Sequence, residues 1–372
     1  MSTPKRVDPH DTESYNAWYD VYRPALDDGR PFAVTWTREE MRVGLVRPSA
    51  YWAKEIWAVR DDAGQIAGTL FLELPLTDNT SQLTTTIAVR QDARRQGYGR
   101  ALARLLDERA AHHARTTLVT QLDIPLPTPA ISEENPPSAG FTGGYSGGEP
   151  STWRDGAGDG VRAGSGGRTA GEGFAAALGF SPANHEVHRV LELPLEDAFL
   201  EKLCAEAAER HQGYQLRSWQ DRCPDELVDA YAALQATFAL EAPQGELEVE
   251  AERWDAARVR SVEEQSRAQG RHGWITVAVA PDGTLAGNTE LYVGEHDPGK
   301  AFQWGTLVSP PHRGHRLGLA LKARNHLELQ RVHREPLVVH TWNGEQNTAM
   351  NAVNARLGFH PVERHEEWQR RG

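Results

Sequence analysis

Cysteine is nearly absent: Cys204 and Cys223 are the only two in 372 residues. Two thiols so placed offer no disulfide framework and no metal-ligand spacing, so a reducing compartment is expected and a structural metal is not. Nowhere do eighteen apolar residues follow one another, and the opening segment Met1 to Arg6 has no apolar core. Neither a membrane span nor a secretory signal is expected, which leaves the cytoplasm as the default location. Surplus basic charge is missing too, since 40 lysines and arginines face 52 aspartates and glutamates, a formal net charge of −12. That sign disfavours nucleic acid as a partner and attracts amines and other cationic small molecules. Two nucleotide-binding patterns are also lacking: no GxxxxGK[ST] loop occurs, and no GxGxxG with an acidic residue about twenty positions on.

What is there is enough apolar residue for a globular protein, 39% of the chain with 11 tryptophans, and a length that suits two domains, each able to bury a core. The most informative stretch runs from Thr84 to Leu102. It reads as a β-branched strand end, a basic glycine turn and a helix start. Such a turn lets several backbone N–H groups point at one anion, and the helix adds the positive end of its dipole. Arg94, Arg95 and Arg100 add formal charge around that cradle.

A second copy tests the first. Ile56 to Val59 and Ile66 to Leu70 form a hairpin pattern around a polar turn, echoed by Ile275 to Val279 and Leu285 to Thr289. Gly68 and Arg94 stand 26 positions apart, as do Gly287 and Arg313. The second cradle is then Thr306 to Leu321. Both units close on a helix with a glycine C-cap, Leu178-Gly179-Phe180 and Leu357-Gly358-Phe359. The first unit is longer by about forty residues, and a glycine-rich insertion from about 127 to 173 accounts for the excess. The expected organisation is a first domain over 1–195 with that insertion, a helical linker over 196–213 and a second domain over 214–372. Helices are expected from Thr12 to Leu26, after an N-cap at Thr37, from Pro224 to Leu240 and from Val249 to Ala268, with strands at Thr117 to Leu122, Val187 to Leu193 and Leu337 to Thr341.

The spacing Val89, Arg94, Gly99 and the paired LGF closures resemble the coenzyme A loop and domain ending of the GNAT superfamily of N-acetyltransferases. The resemblance implies an α/β fold of two tandem GNAT-like domains, each a mixed, mainly antiparallel sheet flanked by helices, with acetyl-coenzyme A as acyl donor. It implies that Ile87, Ala88 and Val89 line pantetheine while Arg94, Arg95, Gln96, Gly97, Tyr98, Gly99 and Arg100 hold phosphates. In the second unit Leu307, Val308, Arg313, Gly314, His315, Arg316, Leu317 and Gly318 correspond, and Asn343 and Asn347 stand where an asparagine reaches the cofactor. Arg316 replaces Gly97 there, which makes the first cradle the expected better binder.

Acyl transfer to an amine needs a base, a polarised carbonyl and protonation of the thiolate. Glu73 and Glu290 are the strand glutamates expected as bases, with His340 as an alternative. The tyrosine that serves as the family's acid is Ala175 in one unit and Asn354 in the other. The expected activity is acetyl transfer to a primary amine of a small molecule by a monomer or homodimer. A non-catalytic coenzyme A sensor or scaffold, and a protein or peptide N-acetyltransferase, are the alternatives.

Overall fold

The computed structural model of the chain describes residues 3–127, 168–241 and 244–372. β1 (Lys5–Arg6) precedes α1 (Thr12–Asp27) and α2 (Arg38–Val46), then the hairpin of β2 (Trp52–Arg60) and β3 (Ile66–Pro75). β4 (Gln82–Val89) runs through a 3-10 turn into α3 (Tyr98–His112), followed by β5 (Thr117–Pro125), α4 (Ala170–Ala177) and β6 (Ser181–Leu193). After α5 (Asp197–Ala208) the order repeats: β7 (Gln215–Gln220), α6 (Val228–Glu241), α7 (Ala256–Ala268), β8 (Arg271–Val279), β9 (Leu285–Gly294) and β10 (Asp297–Val308). A second 3-10 turn leads to α8 (Leu317–Val332), β11 (Leu337–Gly344), α9 (Thr348–Leu357) and β12 (His360–Arg371).

Local sequence explains these elements. α1 starts at an Asp11 cap and puts Tyr15, Trp18, Tyr19 and Tyr22 on one helical face, all buried against Ile56, Phe71 and Ala88 of the sheet. Burying a large side chain of this kind contributes roughly 1.5–3 kcal/mol. α2 opens with a reciprocal capping box between Thr37 and Glu40. The insertion expected at 127–173 falls mostly outside the described residues, but its end is ordered as α4 behind a Thr169/Glu172 capping box.

All twelve strands share one sheet, in the order β1-β2-β3-β4-β5-β12-β6-β11-β10-β9-β8-β7. In each half one neighbouring pair is parallel, β4 with β5 and β10 with β11, and the other pairings are antiparallel. The order contains an exchange that the repeat did not announce. β6, read from sequence as the strand closing the first unit, pairs from Glu186 to Leu193 with the whole of β11 of the second, while β12 pairs with β5. β12 and β6 then pair with each other and make the sheet continuous. Periodicity marks a strand but not its neighbour, which is why the exchange is invisible in sequence.

Two further expectations change. The linker helix α5 is no spacer, since Leu200, Leu203 and Ala207 join the core of the second half with Leu191, Leu319, Ala323 and Val339. The helix expected from Val249 begins only at Ala256, behind an Asp255 cap. The segment before it is bonded to the first half instead: the Asn79 and Glu250 side chains each accept the other's backbone N–H, and Arg258 pairs with Asp78 at 2.5 Å. A second buried pair, Arg271 with Glu40 at 2.9 Å, also crosses between the halves, and the Arg271 guanidinium lies 3.7 Å from the Trp36 ring.

One buried cation sits inside a helix. Lys322 of α8 donates to Asn354 Oδ1 at 2.6 Å, and burial pushes its amine down to about 7. The folded state therefore releases this proton before the unfolded chain does. Stability of the wild type should rise as pH goes from 7 toward 10, by about 1.4 kcal/mol per unit from this group. Urea denaturation of Lys322→Met at pH 7.5 and 9.5 should show that contribution gone.

Candidate acyl-transfer site

Both cradles form as the spacing predicts. After β4 the chain turns through Arg95 at φ 64° and Gly97 at φ 92°, and after β10 through Gly314 at φ 85° and Arg316 at φ 55°. Each turn thus needs two left-handed residues and fills one with glycine and one with arginine, in opposite order. Arg95 in the first cradle therefore carries the same left-handed backbone as Arg316 in the second. Among the described residues the N–H groups from Arg95 to Arg100, and from Gly314 to Leu319, meet no protein acceptor. Two rows of free donors at the N-termini of long helices fit a pyrophosphate.

Side chains in the cradles are less uniform than the motif suggests. Tyr98 and Leu317 are buried core residues, so only their backbone faces the turn. Arg94 donates to Val89 O at 3.3 Å and pairs with Asp28, and Arg313 does the same with Val308 O and Glu241. Gln96 binds Asp92 O, His315 lies 3.2 Å from Arg210 O, and Arg316 donates to Glu206 O on α5. Arg100 is exposed, while Gly99 meets Phe174 of α4, which would stand 3.1 Å from an added Cβ. Ile87 and Val89 pack on the α3 face, Ala88 on the α1 face; Leu307 and Val308 divide in the same way.

The parallel pairs separate toward the cradles. β4 is in register with β5 only as far as Thr85, and β10 with β11 only as far as Phe302. Each half therefore has an opened wedge at the strand end. Here the halves differ: β4 runs against β3 without a break, whereas β10 has a bulge against β9 between Gln303 and Thr306. Trp304 and Gly305 have no register partner on either side. A Cβ at 305 would lie 2.9 Å from the Phe238 ring, so a larger residue there would displace that ring.

Opposite that bulge stands Glu290. It lines a cavity of about 240 Å³ walled by Trp219, Tyr231, Phe238, Trp254, Tyr292 and Trp304. Tyr231 donates to Glu290 Oε1 at 2.5 Å, Asn288 donates at 3.1 Å, and Gln235 donates to the same oxygen. Burial pushes the carboxyl upward, against the pull of those three donors. Among the described residues no donor reaches Oε2 and no cation reaches either oxygen. The position of Glu290 in the first half is Phe71, and there Tyr22, Trp18 and Tyr15 fill the space as solid core.

The other candidates are placed elsewhere. Glu73 forms a partly exposed ion pair with Lys54 at 2.9 Å on the neighbouring strand. His340, expected to face the cleft, is corrected to a buried position in the seam between the halves. Its Nδ1 lies 2.9 Å from His188 Nε2, and burial, reinforced by His188, pushes its imidazole down to about 3. Strand β6 covers it, and no unit read alone would have shown that neighbour. Asn347 caps α9 by accepting from Met350 N, and Asn343 accepts from Asn354 Nδ2 at 2.5 Å. Sequence reading missed Tyr231, Gln235 and Phe238, although their spacing of four and three marks one face of α6. Among the described residues no group of three or more histidines, cysteines or carboxylates is arranged for a metal, and no helix is long and apolar enough to cross a membrane.

The model of the acetyltransferase (GNAT) family matches residues 15–128. Among solved structures, a tandem GNAT protein from the clavulanic acid biosynthesis pathway is 25% identical, with a TM-score of 0.70, and the match covers 99% of this chain and 98% of that one. A GCN5-related N-acetyltransferase from Sphaerobacter thermophilus shares the fold at 16% identity and a TM-score of 0.60, over 99% and 95% of the two chains. The N-myristoyltransferase of Saccharomyces cerevisiae shares it at 11% identity and 0.54, over 99% and 79%. No curated protein sequence matches. With two opened wedges, two cradles of free N–H groups and this full-length likeness, the chain has the fold of a tandem GNAT protein, and its residues 15–128 match the acetyltransferase (GNAT) family.

Proposed function

We propose that the protein acetylates a primary amine of a small molecule, and that the second half carries the chemistry. The observation that carries this reading is Glu290, a buried carboxylate with one free oxygen that lines an aromatic-walled cavity beside the β10 bulge. Glu290 takes one proton from the bound ammonium. The freed amine attacks the thioester carbonyl, the C–N bond forms as the C–S bond breaks, and a second nitrogen proton goes to the thiolate. Backbone N–H groups released by the bulge polarise the carbonyl, the role a strand end plays when it has no neighbour to bond. Asn354 stands at the position of the family's acid, held by Lys322.

Cavity size favours a small molecule over a protein segment. The first half keeps a cradle but fills the acceptor side with aromatics, which suits donor binding or a structural role. The test is release of free coenzyme A from acetyl-coenzyme A across a panel of primary amines. Release dependent on one amine class supports the reading; donor binding without release from any amine overturns it in favour of a sensor or scaffold.

A further inference from the structure

We infer that the second-half cavity selects a compact monoamine carrying about one aromatic ring, bound as its ammonium. The inference rests on reading this cavity as the acceptor site. Three observations lead to it. Its volume of about 240 Å³ is below the range of drug-sized pockets, so it takes one ring and a short arm, not an oligosaccharide or a long polyamine. Six aromatic residues form its walls, and such faces attract both rings and cations.

The third observation is charge. The lining residues include three carboxylates and no lysine, arginine or histidine. Two of the three are already engaged: Asp221 lies 3.1 Å from His272 Nδ1 and accepts from Gly273 N, and Glu263 pairs with Arg260 at 2.7 Å and accepts from Cys223 N. Glu290 has only neutral donors, all on Oε1. A buried carboxylate without a cation is costly, and the missing partner is a cation brought by the ligand. A ligand ammonium at Oε2 fills that place, with its ring among the tryptophans. A ligand that brings a carboxylate instead meets Glu290 and finds no lysine, arginine or histidine on the walls to hold it.

Binding is measured on the full chain by calorimetry with 2-phenylethylamine, its neutral analogue 2-phenylethanol, its anionic analogue 3-phenylpropanoate, and glucosamine. The amine should bind at least about ten-fold more tightly than the alcohol, the increment expected of a desolvated ion pair with cation–π contact. The propanoate and glucosamine should bind more weakly still. Glu290→Gln should erase the preference for amine over alcohol. Should that variant fail to fold, Trp219→Leu, altering a half-buried wall residue, should weaken the amine more than the alcohol. Equal binding of amine and alcohol, a preference that survives Glu290→Gln or Trp219→Leu, or tighter binding of glucosamine overturns the inference. None of these readouts needs acetyl transfer, so selective binding without thiol release would sink the catalytic reading alone, and thiol release with an unselective cavity would sink this one alone.

Discussion

Glu290→Gln should lower kcat/KM for acetyl transfer by ~10²–10⁴-fold, the usual worth of a positioned base, measured with whichever amine releases coenzyme A. The KM for acetyl-coenzyme A should not change, because the glutamate contacts α6 and not the cradle. Stability should move the other way. Burial raises this carboxyl in the folded state, so the native protein favours its protonated form, and holding it ionised at neutral pH costs folding free energy. Glutamine keeps the shape, removes the charge, and should raise the urea midpoint at pH 7. The wild-type rate should also fall as pH drops through the raised carboxyl value, since the protonated form cannot accept a proton. A merely structural glutamate would lose stability on substitution, so the two opposite signs together identify a functional group.

The second large effect is expected at Glu363, on the exchanged strand β12. Arg30 grips it with two bonds of 2.9 and 2.8 Å, and His188 on β6 lies 2.9 Å from Oε2. Arg30 also pairs with Asp123 on β5, 2.6 Å from His365 of β12. Burial alone would raise the Glu363 carboxyl, but the bonds from His188 and Arg30 outweigh it and hold it below the ordinary carboxylate range. Its contribution is present above that ordinary range and is lost as pH falls through the lowered value. Glu363→Ala should cost about 3–5 kcal/mol by taking from the buried His188 its acceptor and from Arg30 one of its two salt-bridge partners, read as a lower urea midpoint at pH 7. The loss relative to wild type should shrink as the assay is moved to acid.

Both effects show what a linear reading of the chain reaches. The repeat, the cradles and the glycine C-caps are local patterns, fixed by residues a few positions apart, and Glu290 was legible as a strand glutamate before the cradle. The aromatic walls were not, because Trp219, Tyr231, Trp254 and Trp304 come from four separate segments that only tertiary packing assembles. His340 is the same case: its strand is legible, but β6 pairs over it, and burial first and His188 second push its imidazole down. Glu73 and Glu290 look alike in sequence. A lysine on the facing strand occupies one, and a gap between helices opens over the other.

The sheet order also sets a timetable for the growing chain. β5 emerges early, yet the strand that covers its free edge, β12, is the last of the twelve to be made. β6 likewise waits for β11, so until those strands are made two strand edges with unpaired backbone N–H and C=O groups stand in the middle of the future sheet. Such edges invite pairing with other chains, and long-range pairing is slow. The edge of β5 therefore stays without its neighbour until β12 has been made, and a chain ending before β12 leaves the first half's sheet open at β5.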